Sequence, residues 1–418
     1  MFLLKTILYP IAMMCLFAAC NSAGNKQTTH SPADTLVHQA VYTQVIPPKE
    51  LKYYNAECSA FFDSLLLRRG AFNGSILVAK DGAVVYEKYA GFANPRTKSD
   101  SLKPTSAFHL ASVSKTFTAM AVLKLWEQGR LNLDDTLSKF FPKFPYEGIT
   151  VKMLLSHRSG LPNYVHYLER NGWDKRKMVI NTDVLLSLYT MHPPLEFQSG
   201  KHFAYCNTNY ALLALIIEKV AGVTYNDFLQ QTFFTPLQMH DTYVFSLKDP
   251  NRAMRSFEFN NREFKVDFLD GVYGDKNVYS TVRDMLKWDQ ALYAGVLFKQ
   301  STLDSAFAGY SFEKEGKRNY GLGWRMTFIG NGKKLLYHNG WWHGNNAAFI
   351  RLVDEKATII VLGNRFNRAI YSSKYLSDLF GDYRQNGFSL EEGETTGGGE
   401  PGKQTIPRRI VHHRKHHR

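Results

Sequence analysis

The sequence has 418 residues, and its 44% of hydrophobic and 21% of charged residues are ordinary values for a globular protein. This composition excludes a collagen-like chain and a chain that is disordered throughout. The four cysteines are too few and too scattered for a disulfide framework: Cys15, Cys20, Cys58 and Cys206. The 51 basic and 37 acidic residues give a net charge of +14, but six of the basic residues lie between positions 403 and 418. The body of the chain is therefore only mildly basic.

Residues 1–20 have the pattern of a lipoprotein-type signal peptide. Lys5 supplies a positive charge, the run from Ile7 to Phe17 is apolar, and two alanines precede Cys20. The apolar run is shorter than the roughly 20 residues that a membrane-spanning helix needs. The end of the segment resembles a bacterial lipobox, in which the cysteine is lipidated, although Phe17 stands where leucine is usual and simple secretion remains an alternative. We therefore expect an exported protein of the periplasm or cell envelope, anchored in the membrane through Cys20.

Polar composition predicts flexible segments on both sides of a folded domain at residues 51–385. Residues 21–50 are rich in serine, threonine, asparagine and glutamine, which is typical of a tether. Residues 386–418 contain a run of three glycines and then a basic, histidine-rich end, and we expect this tail to be disordered. The four histidines at its end could bind a metal ion, but a solvated tail is the simpler interpretation, so we predict no metal and no cofactor. Because much of the excess charge lies in the tail of an exported chain, we expect no nucleic-acid partner.

The folded domain begins with a predicted helix followed by a β-hairpin. Residues Glu57–Arg69 place apolar side chains on one helical face, and Gly70 stands where a helix would end. Ser75–Lys80 and Ala83–Tyr89 read as strands, and the Asp-Gly pair between them is a strong signal for a tight hairpin turn. An antiparallel pair is therefore expected near the N-terminal end of the domain.

The middle of the domain is helical in pattern, whereas its C-terminal part returns to strands. Tyr210–Val220 and Asp284–Tyr293 show helical spacing of apolar residues, and Ile370–Phe380 is predicted to be a closing helix. Four runs read as strands: Tyr320–Thr327, Lys334–His338, Ala347–Val353 and Ala357–Leu362. The sequence thus predicts an α+β fold. Its antiparallel sheet is split in sequence, flanked by the terminal helices and interrupted by an inserted, mostly helical subdomain.

Ser112 and Lys115 form a candidate pair of nucleophile and base. A serine hydroxyl needs a base to take its proton, and a lysine three residues later on a helix lies on the same face, one turn away. The amine must be neutral part of the time, which burial and a neighbouring positive charge would promote. This spacing alone is weak, because Ser112 could equally cap the helix while Lys115 is solvated. A second such string, Ser311–Lys314, is interpreted as surface.

A tyrosine and an asparagine form the second candidate element. Tyr205 and Asn207 alternate on one side of an extended segment directly before a predicted helix. The phenol could share proton transfer with Lys115, and the amide could bind a substrate carbonyl and the lysine.

The third candidate element is the run from His338 to Trp341, which is predicted to end a strand. His338 and Asn339 bring a proton donor and an amide, and Gly340 permits a close approach of the backbone. The backbone N–H of Trp341 could then join that of Ser112 in an oxyanion hole.

In this order, the three elements resemble the serine β-lactamase and penicillin-binding protein family, particularly its class C β-lactamase, DD-peptidase and carboxylesterase branch. The matching motifs are S-x-x-K, Y-x-N and the K-T-G-like triplet, here His338-Asn339-Gly340. Three further strings support the resemblance, which covers roughly residues 55 to 382: Leu154–Pro162, Pro236–Met239 and Asn277–Thr281. It implies a β-lactamase/transpeptidase-like fold.

The resemblance also implies an acyl-enzyme mechanism. Ser112 would attack a carbonyl, Lys115 and Tyr205 would move the proton, and Tyr205 would activate the water that releases the acyl group. The residues expected to bind substrate or the oxyanion are Asn207, His338, Asn339, Gly340 and Trp341, with the N–H of Ser112 as second oxyanion donor. His157, in the first supporting string, is expected to brace a loop rather than to take part in chemistry.

The substrate is less constrained than the mechanism. His338 replaces the usual lysine of the triplet, which removes a fixed positive charge and favours an esterase or a D-amino-acid peptidase over a dedicated β-lactamase. We expect a small-molecule or peptidoglycan-derived ester or amide as substrate. The alternatives are a β-lactamase that hydrolyses β-lactam antibiotics and a penicillin-binding sensor of the cell envelope that does not turn over. The sequence leaves the oligomeric state open.

Overall fold

The structure is a computed structural model that describes residues 44–383 except 69, 71, 294, 314 and 315. The signal peptide at 1–20 with Cys20, most of the tether and the tail at 386–418 lie outside the described residues, so these remain predictions.

A seven-stranded antiparallel sheet forms the centre of the fold. Its strands, numbered in chain order, are β1 Gly74–Lys80, β2 Ala83–Ala90, β8 Arg318–Tyr320, β9 Arg325–Phe328, β10 Lys334–Trp342, β11 Asn345–Leu352 and β12 Ala357–Gly363. Their order across the sheet is β2-β1-β12-β11-β10-β9-β8, so the N-terminal hairpin lies next to β12. The sheet is therefore assembled from both ends of the domain, as the sequence pattern predicts.

Both faces of this sheet are buried, because apolar side chains alternate on either side of its central strands. On β1 and β12, the paired residues Leu77 and Ile360 face the larger apolar core, whereas Ile76 and Val361 face a smaller one. The smaller core is covered by the two terminal helical segments, Pro48–Phe62 and Arg368–Leu379. The larger core continues into the helical region between β2 and β8.

The helical region between β2 and β8 contains all the described α-helices except the first, which covers the smaller core. The α-helices, numbered along the chain, are α1 Pro48–Phe62, α2 Ser114–Glu127, α3 Leu137–Phe140, α4 Val151–Leu155, α5 Tyr164–Arg170, α6 Asn181–Thr190, α7 Asn207–Ala221, α8 Tyr225–Leu229, α9 Val282–Ala291 and α10 Gln300–Ala306. The two central helices, α2 and α7, pack against each other and are mostly buried. Helix α7 ends where Gly222 takes a left-handed conformation, with φ of 75°.

Two small sheets complete the architecture. One pairs β3 Phe92–Asn94 with β4 Ser99–Ser101, and the other has the order β5-β7-β6, built from β5 Phe108–His109, β6 Tyr243–Val244 and β7 Val278–Ser280. Strand β5 runs directly into a 3₁₀ turn, Ala111–Val113, and then into α2. This small sheet therefore fixes the place where the central helix begins.

The predicted α+β class with a split sheet is confirmed, and several element boundaries need correction. The first helix begins at Pro48 rather than Glu57, inside the segment predicted as a tether, and its regular part ends at Phe62 before a single π-helical turn. Its first turns are mostly exposed to solvent, so they carry no apolar periodicity that the sequence pattern could reveal. The closing segment Arg368–Leu379 is a 3₁₀ helix that begins two residues before the predicted helix Ile370–Phe380 and ends one residue before it.

Two strand predictions near the C-terminus were also wrong in their bounds. The run Tyr320–Thr327 is two short strands, β8 and β9, separated by a turn in which Gly323 has φ of 89° and the Gly321 N–H bonds the Trp324 carbonyl at 2.7 Å. Strand β10 does not end at His338 but continues to Trp342, because its residues through Trp342 remain paired with β11. The third candidate element therefore lies within a strand.

Among the described residues, we find no helix that has both the length and the apolar character required to span a membrane.

Candidate active site

The turn that carries Ser112 is held firmly against β7. Ala111, just before it, has φ of 48°, an uncommon left-handed conformation for a residue other than glycine. The Leu110 N–H bonds the Val278 carbonyl at 2.8 Å, and the Val278 N–H bonds Oγ of Ser114 at 3.0 Å. These bonds hold Ser112 in the 3₁₀ turn that leads directly into α2, which begins at Ser114.

Lys115 is fully buried at the centre of the site. Its Nζ lies 3.1 Å from Oγ of Ser112, 2.8 Å from Oδ1 of Asn207 and 2.8 Å from the backbone oxygen of Asp275. Burial lowers the pKa of Lys115 to about 7, the positive charge of Arg325 acts in the same direction, and the carboxylate of Asp275 opposes both. The amine is therefore neutral for part of the time at neutral pH and lies within reach of the serine proton.

Tyr205 forms the wall next to Lys115. The centre of its ring is 4.9 Å from Nζ of Lys115, and the guanidinium carbon of Arg325 lies 4.9 Å from the same centre. Behind it, the His157 ring lies 4.3 Å from the Tyr205 ring, and Nδ1 of His157 accepts a hydrogen bond of 3.1 Å from the N–H of Cys206. His157 thus braces the segment that precedes α7, in agreement with the structural role predicted for it.

The strand β10 borders the site on the other side. Gly340 lies so close to the serine turn that a Cβ added to it would be 2.2 Å from the Leu110 oxygen and 3.1 Å from the backbone nitrogen of Ser112. The side chain of Trp341 is half-buried and donates from Nε1 to the carbonyl of His343 at 3.0 Å. Asn339 is buried. The close approach that the sequence analysis attributed to Gly340 is therefore present.

His338 is fully buried, and both of its ring nitrogens are engaged within the protein. Its Nδ1 lies 2.8 Å from the carbonyl oxygen of Asn339, and its Nε2 lies 3.2 Å from the hydroxyl of Tyr320. Because a carbonyl oxygen can only accept, Nδ1 carries the proton and Nε2 accepts from the tyrosine. Burial lowers the pKa of His338 well below its usual value, and the positive charges of Arg325 and Lys115 add to this effect. The ring is therefore neutral.

A buried charged cluster next to Lys115 was not singled out by the sequence analysis. The side chains of Asp275 and Lys276 are each only 3% exposed, and Nζ of Lys276 lies 3.6 Å from Oδ1 of Asp275. Tyr164 donates from its hydroxyl to Oδ2 of Asp275 at 2.8 Å and accepts a hydrogen bond from Lys276. The pair directly precedes the Asn277–Thr281 string, and that position in the sequence was the only signal that could have indicated it.

Arg325 was missed as well, although it faces both walls of the site. It lies on β9 opposite Tyr337 of β10 and is half-buried. Its charge lowers the pKa of Lys115 and of His338. Nothing in the local sequence distinguishes it from a surface arginine on a strand.

The two residues after Trp341 contact a loop of the protein. Trp342 donates from Nε1 to Oδ1 of Asp270 at 2.7 Å, and Nε2 of His343 lies 3.0 Å from the same oxygen. Asp270 thus connects this end of β10 to the loop that follows residue 269. In the described part of the chain, no group of three or more histidine, cysteine, aspartate or glutamate side chains is arranged to hold a metal ion.

The sequence and the fold both match proteins of one family. The protein-family model described as Beta-lactamase matches residues 59–375. Penicillin-binding protein 4* of Bacillus subtilis is 33% identical to this chain in an alignment over 322 residues, and the match covers 73% of this chain and 71% of that protein. A class C β-lactamase superposes with a TM-score of 0.65 at 20% identity, covering 78% of this chain and 98% of the other.

A D-amino acid amidase from Ochrobactrum anthropi has a similar fold. Its TM-score is 0.61 at 22% identity, and the superposition covers 73% of this chain and 90% of the amidase. With the match of the family model over most of the folded domain, these similarities show that the chain belongs to the serine β-lactamase and penicillin-binding protein family and has its β-lactamase/transpeptidase-type fold.

Proposed function

We propose that this protein is a serine hydrolase that cleaves an ester or amide through an acyl-enzyme on Ser112. The observation that carries the proposal is the set of contacts made by Lys115, a buried amine whose pKa is lowered to about 7 and whose Nζ lies 3.1 Å from the serine oxygen. A lysine that is merely structural has no need of a lowered pKa next to a hydroxyl group. A sensor that never becomes acylated would tolerate the loss of this arrangement.

In the acylation step, Oγ of Ser112 forms a bond to the substrate carbonyl carbon while its proton passes to Nζ of Lys115. The negative charge moves to the carbonyl oxygen, which the N–H groups of Ser112 and Trp341 would bind. Collapse of this intermediate breaks the bond to the amine or alcohol, which leaves with the proton. Tyr205, beside Lys115, takes part in this transfer.

In the deacylation step, a water molecule attacks the acyl-enzyme. Tyr205 or Lys115 accepts a proton from the water, the acyl group leaves as a carboxylic acid, and the proton returns to Oγ of Ser112. Asn207 holds Nζ of Lys115 at 2.8 Å and so keeps the amine in place through both steps.

We further propose that the substrate carries a carboxylate, as a peptidoglycan-derived D-amino-acid peptide does. Arg325 is the support for this step, because its guanidinium carbon lies 4.9 Å from the ring of Tyr205 and the residue is half-buried beside both walls of the site. It supplies a fixed positive charge that the neutral His338 does not. An exported chain anchored through Cys20 would meet such a substrate in the cell envelope.

The test is to incubate the purified protein with a short-chain nitrophenyl ester, a chromogenic cephalosporin and a peptide that ends in D-Ala-D-Ala, while following product and covalent mass. We expect turnover of the ester or the peptide, with the acyl group on Ser112, and no turnover by Ser112→Ala. Ser311→Ala is the matched control, because Ser311 begins the second S-x-x-K string.

The same assay separates the alternatives. Preferential turnover of the cephalosporin would identify a β-lactamase. A stable adduct without turnover would identify a penicillin-binding sensor, and undiminished turnover by Ser112→Ala would refute the assigned nucleophile.

A further inference from the structure

His109, three residues before Ser112, is a buried histidine that the proposed chemistry does not use. Its Nδ1 lies 2.9 Å from the backbone nitrogen of Ala111, and its Nε2 lies 2.9 Å from Oδ1 of Asn277. A backbone N–H can only donate, so Nδ1 is the acceptor and Nε2 carries the proton. The ring therefore accepts from Ala111 and donates to Asn277.

The bond to Ala111 supports an unfavourable backbone conformation. Ala111 has φ of 48° and is fully buried. A left-handed conformation is unfavourable for a residue other than glycine and persists only where its surroundings enforce it. A buried N–H of Ala111 without a partner would destabilise the turn further. The hydrogen bond to the imidazole of His109 therefore stabilises the left-handed conformation. This turn sets the position of Ser112.

The bond to Asn277 connects His109 to the loop that holds Lys115. Asn277 is itself left-handed, with φ of 75°, and its amide donates to the carbonyls of Asp270 at 2.6 Å and Val272 at 2.9 Å. It thereby closes the loop of residues 270–277. The same loop presents the backbone oxygen of Asp275, which accepts the hydrogen bond from Lys115. His109 thus connects the serine turn directly to this loop through its side chain.

The neighbours of His109 keep its ring in one orientation. Tyr279 packs edge-on against it, with ring centres 4.9 Å apart and planes at 89°, and Tyr243 stacks on Tyr279 at 5.2 Å. Burial lowers the pKa of His109 to about 4, against the opposing effect of the bond to Asn277. The ring is therefore neutral at neutral pH and keeps one acceptor and one donor.

We propose that His109 is a positioning residue, which together with Asn277 sets the placement of Oγ of Ser112 relative to Nζ of Lys115. This inference rests on the proposed acyl-enzyme function. It goes beyond the three motifs, because His109 belongs to none of them and acts on the serine through Ala111.

Two substitutions separate the two bonds. His109→Asn keeps an amide oxygen near the position of Nδ1 and so keeps the acceptor for Ala111. His109→Gln places an amide nitrogen near the position of Nε2, which keeps the donor to Asn277 but loses the acceptor. Tyr279→Phe is the matched control, because it keeps the ring that packs against His109 and removes only a hydroxyl group.

The measurement is the rate of acyl-enzyme formation on Ser112, followed by intact mass in single turnovers together with kcat, KM and melting temperature. Because a misplacement of about 1 Å can cost about 100-fold in rate, we expect His109→Gln to lower the acylation rate by roughly 10- to 100-fold with little change in KM. His109→Asn should retain activity to within about fivefold, since the loss of one hydrogen bond is worth about 1 kcal/mol.

Equal activity in His109→Gln and the unsubstituted protein would overturn the proposal. The proposal would also be overturned if His109→Asn and His109→Gln lost the same activity and this loss equalled the fraction of each variant that is unfolded.

A second readout keeps this proposal distinct from the proposed function. The ¹⁵N shifts of the His109 imidazole should show the neutral tautomer protonated on Nε2. The opposite tautomer, or a ring that is protonated at neutral pH, would overturn the positioning role even if the enzyme is active. If the tautomer is as expected but the unsubstituted protein never acylates Ser112, the proposed function fails and the positioning role fails with it.

Discussion

The two walls of the site contribute in different ways. On the helical wall, formed by Ser112, Lys115, Tyr205 and Asn207, side-chain atoms contact one another directly around Nζ of Lys115. On the strand wall, formed by residues 338–341, the backbone at Gly340 approaches the serine turn. The side chain of His338 on the same wall is buried within the protein. In the proposed mechanism, the helical wall therefore supplies the reactive groups, and the strand wall supplies shape and backbone donors.

The largest effect should come from the helical wall. Lys115→Met keeps most of the volume of the side chain but removes the amine that would take the serine proton. We expect kcat/KM to fall by about 10²- to 10⁴-fold, the usual contribution of a general base. The measurement is ester turnover at saturating and limiting substrate. Lys124→Met is the matched control, because Lys124 lies on the same helix but is partly exposed and paired with Glu127. We expect its kcat/KM to be nearly unchanged.

A residual activity of Lys115→Met within tenfold of the unsubstituted protein would mean that another group is the base. Tyr205 would then be the next candidate, and the contrast between the walls would need a different explanation.

The strand wall should respond to its backbone rather than to its side chains. Gly340→Ala would place a methyl group 2.2 Å from the Leu110 oxygen, so β10 or the serine turn must move. Because the loss of one oxyanion donor costs about 10²- to 10³-fold in kcat, we expect acylation to fall by about 10²-fold. The melting temperature should also fall, and it is measured alongside the rate. A variant that matches the unsubstituted protein in both would show that the two elements are not in tight contact.

The same contrast explains how much could be predicted from the sequence. The four residues of the helical wall lie in two short motifs. Because the two residues of each motif are close together in the chain, their spacing alone could indicate the proposed roles. The sheet was predictable because its strands are apolar runs bounded by turn signals. The closeness of Gly340 to the serine turn followed from the lack of a side chain.

What the sequence could not indicate depends on contacts between distant segments. Asp275, Lys276 and Arg325 are ordinary charged residues until the fold brings them beside Lys115. The exposed first turns of α1 lack an apolar face, so the predicted start of that helix was wrong. The sequence likewise does not show that Tyr320 and the Asn339 carbonyl engage the ring of His338, whose role in substrate binding stays a prediction.

A pH profile would sharpen the picture of the helical wall. Lys115 acts as a base only when neutral, so kcat/KM should rise with pH through about 7, the pKa to which burial lowers it. The charge of Arg325 disfavours protonation of Lys115. Arg325→Gln should therefore raise the pKa and move the rising limb to higher pH.

Asp275→Asn is the matched comparison for this profile. The carboxylate of Asp275 favours the protonated amine, so its removal should move the limb to lower pH, while the backbone oxygen that holds Lys115 remains. Shifts of the limb in the same direction in both variants would contradict the assignment of the limb to Lys115.

The smallest effect is expected at His338, although it heads the third motif. Its ring is buried and neutral, and it contacts Tyr320 and the Asn339 carbonyl, so His338→Asn loses about one neutral hydrogen bond. Such a bond is worth about 1 kcal/mol, which corresponds to a change in kcat of about fivefold. Tyr320→Phe removes the other partner of that bond and should have a similar effect. A loss above about 100-fold in His338→Asn alone, with a raised KM, would instead assign the ring to substrate binding, and the strand wall would then contribute a reactive side chain as the helical wall does.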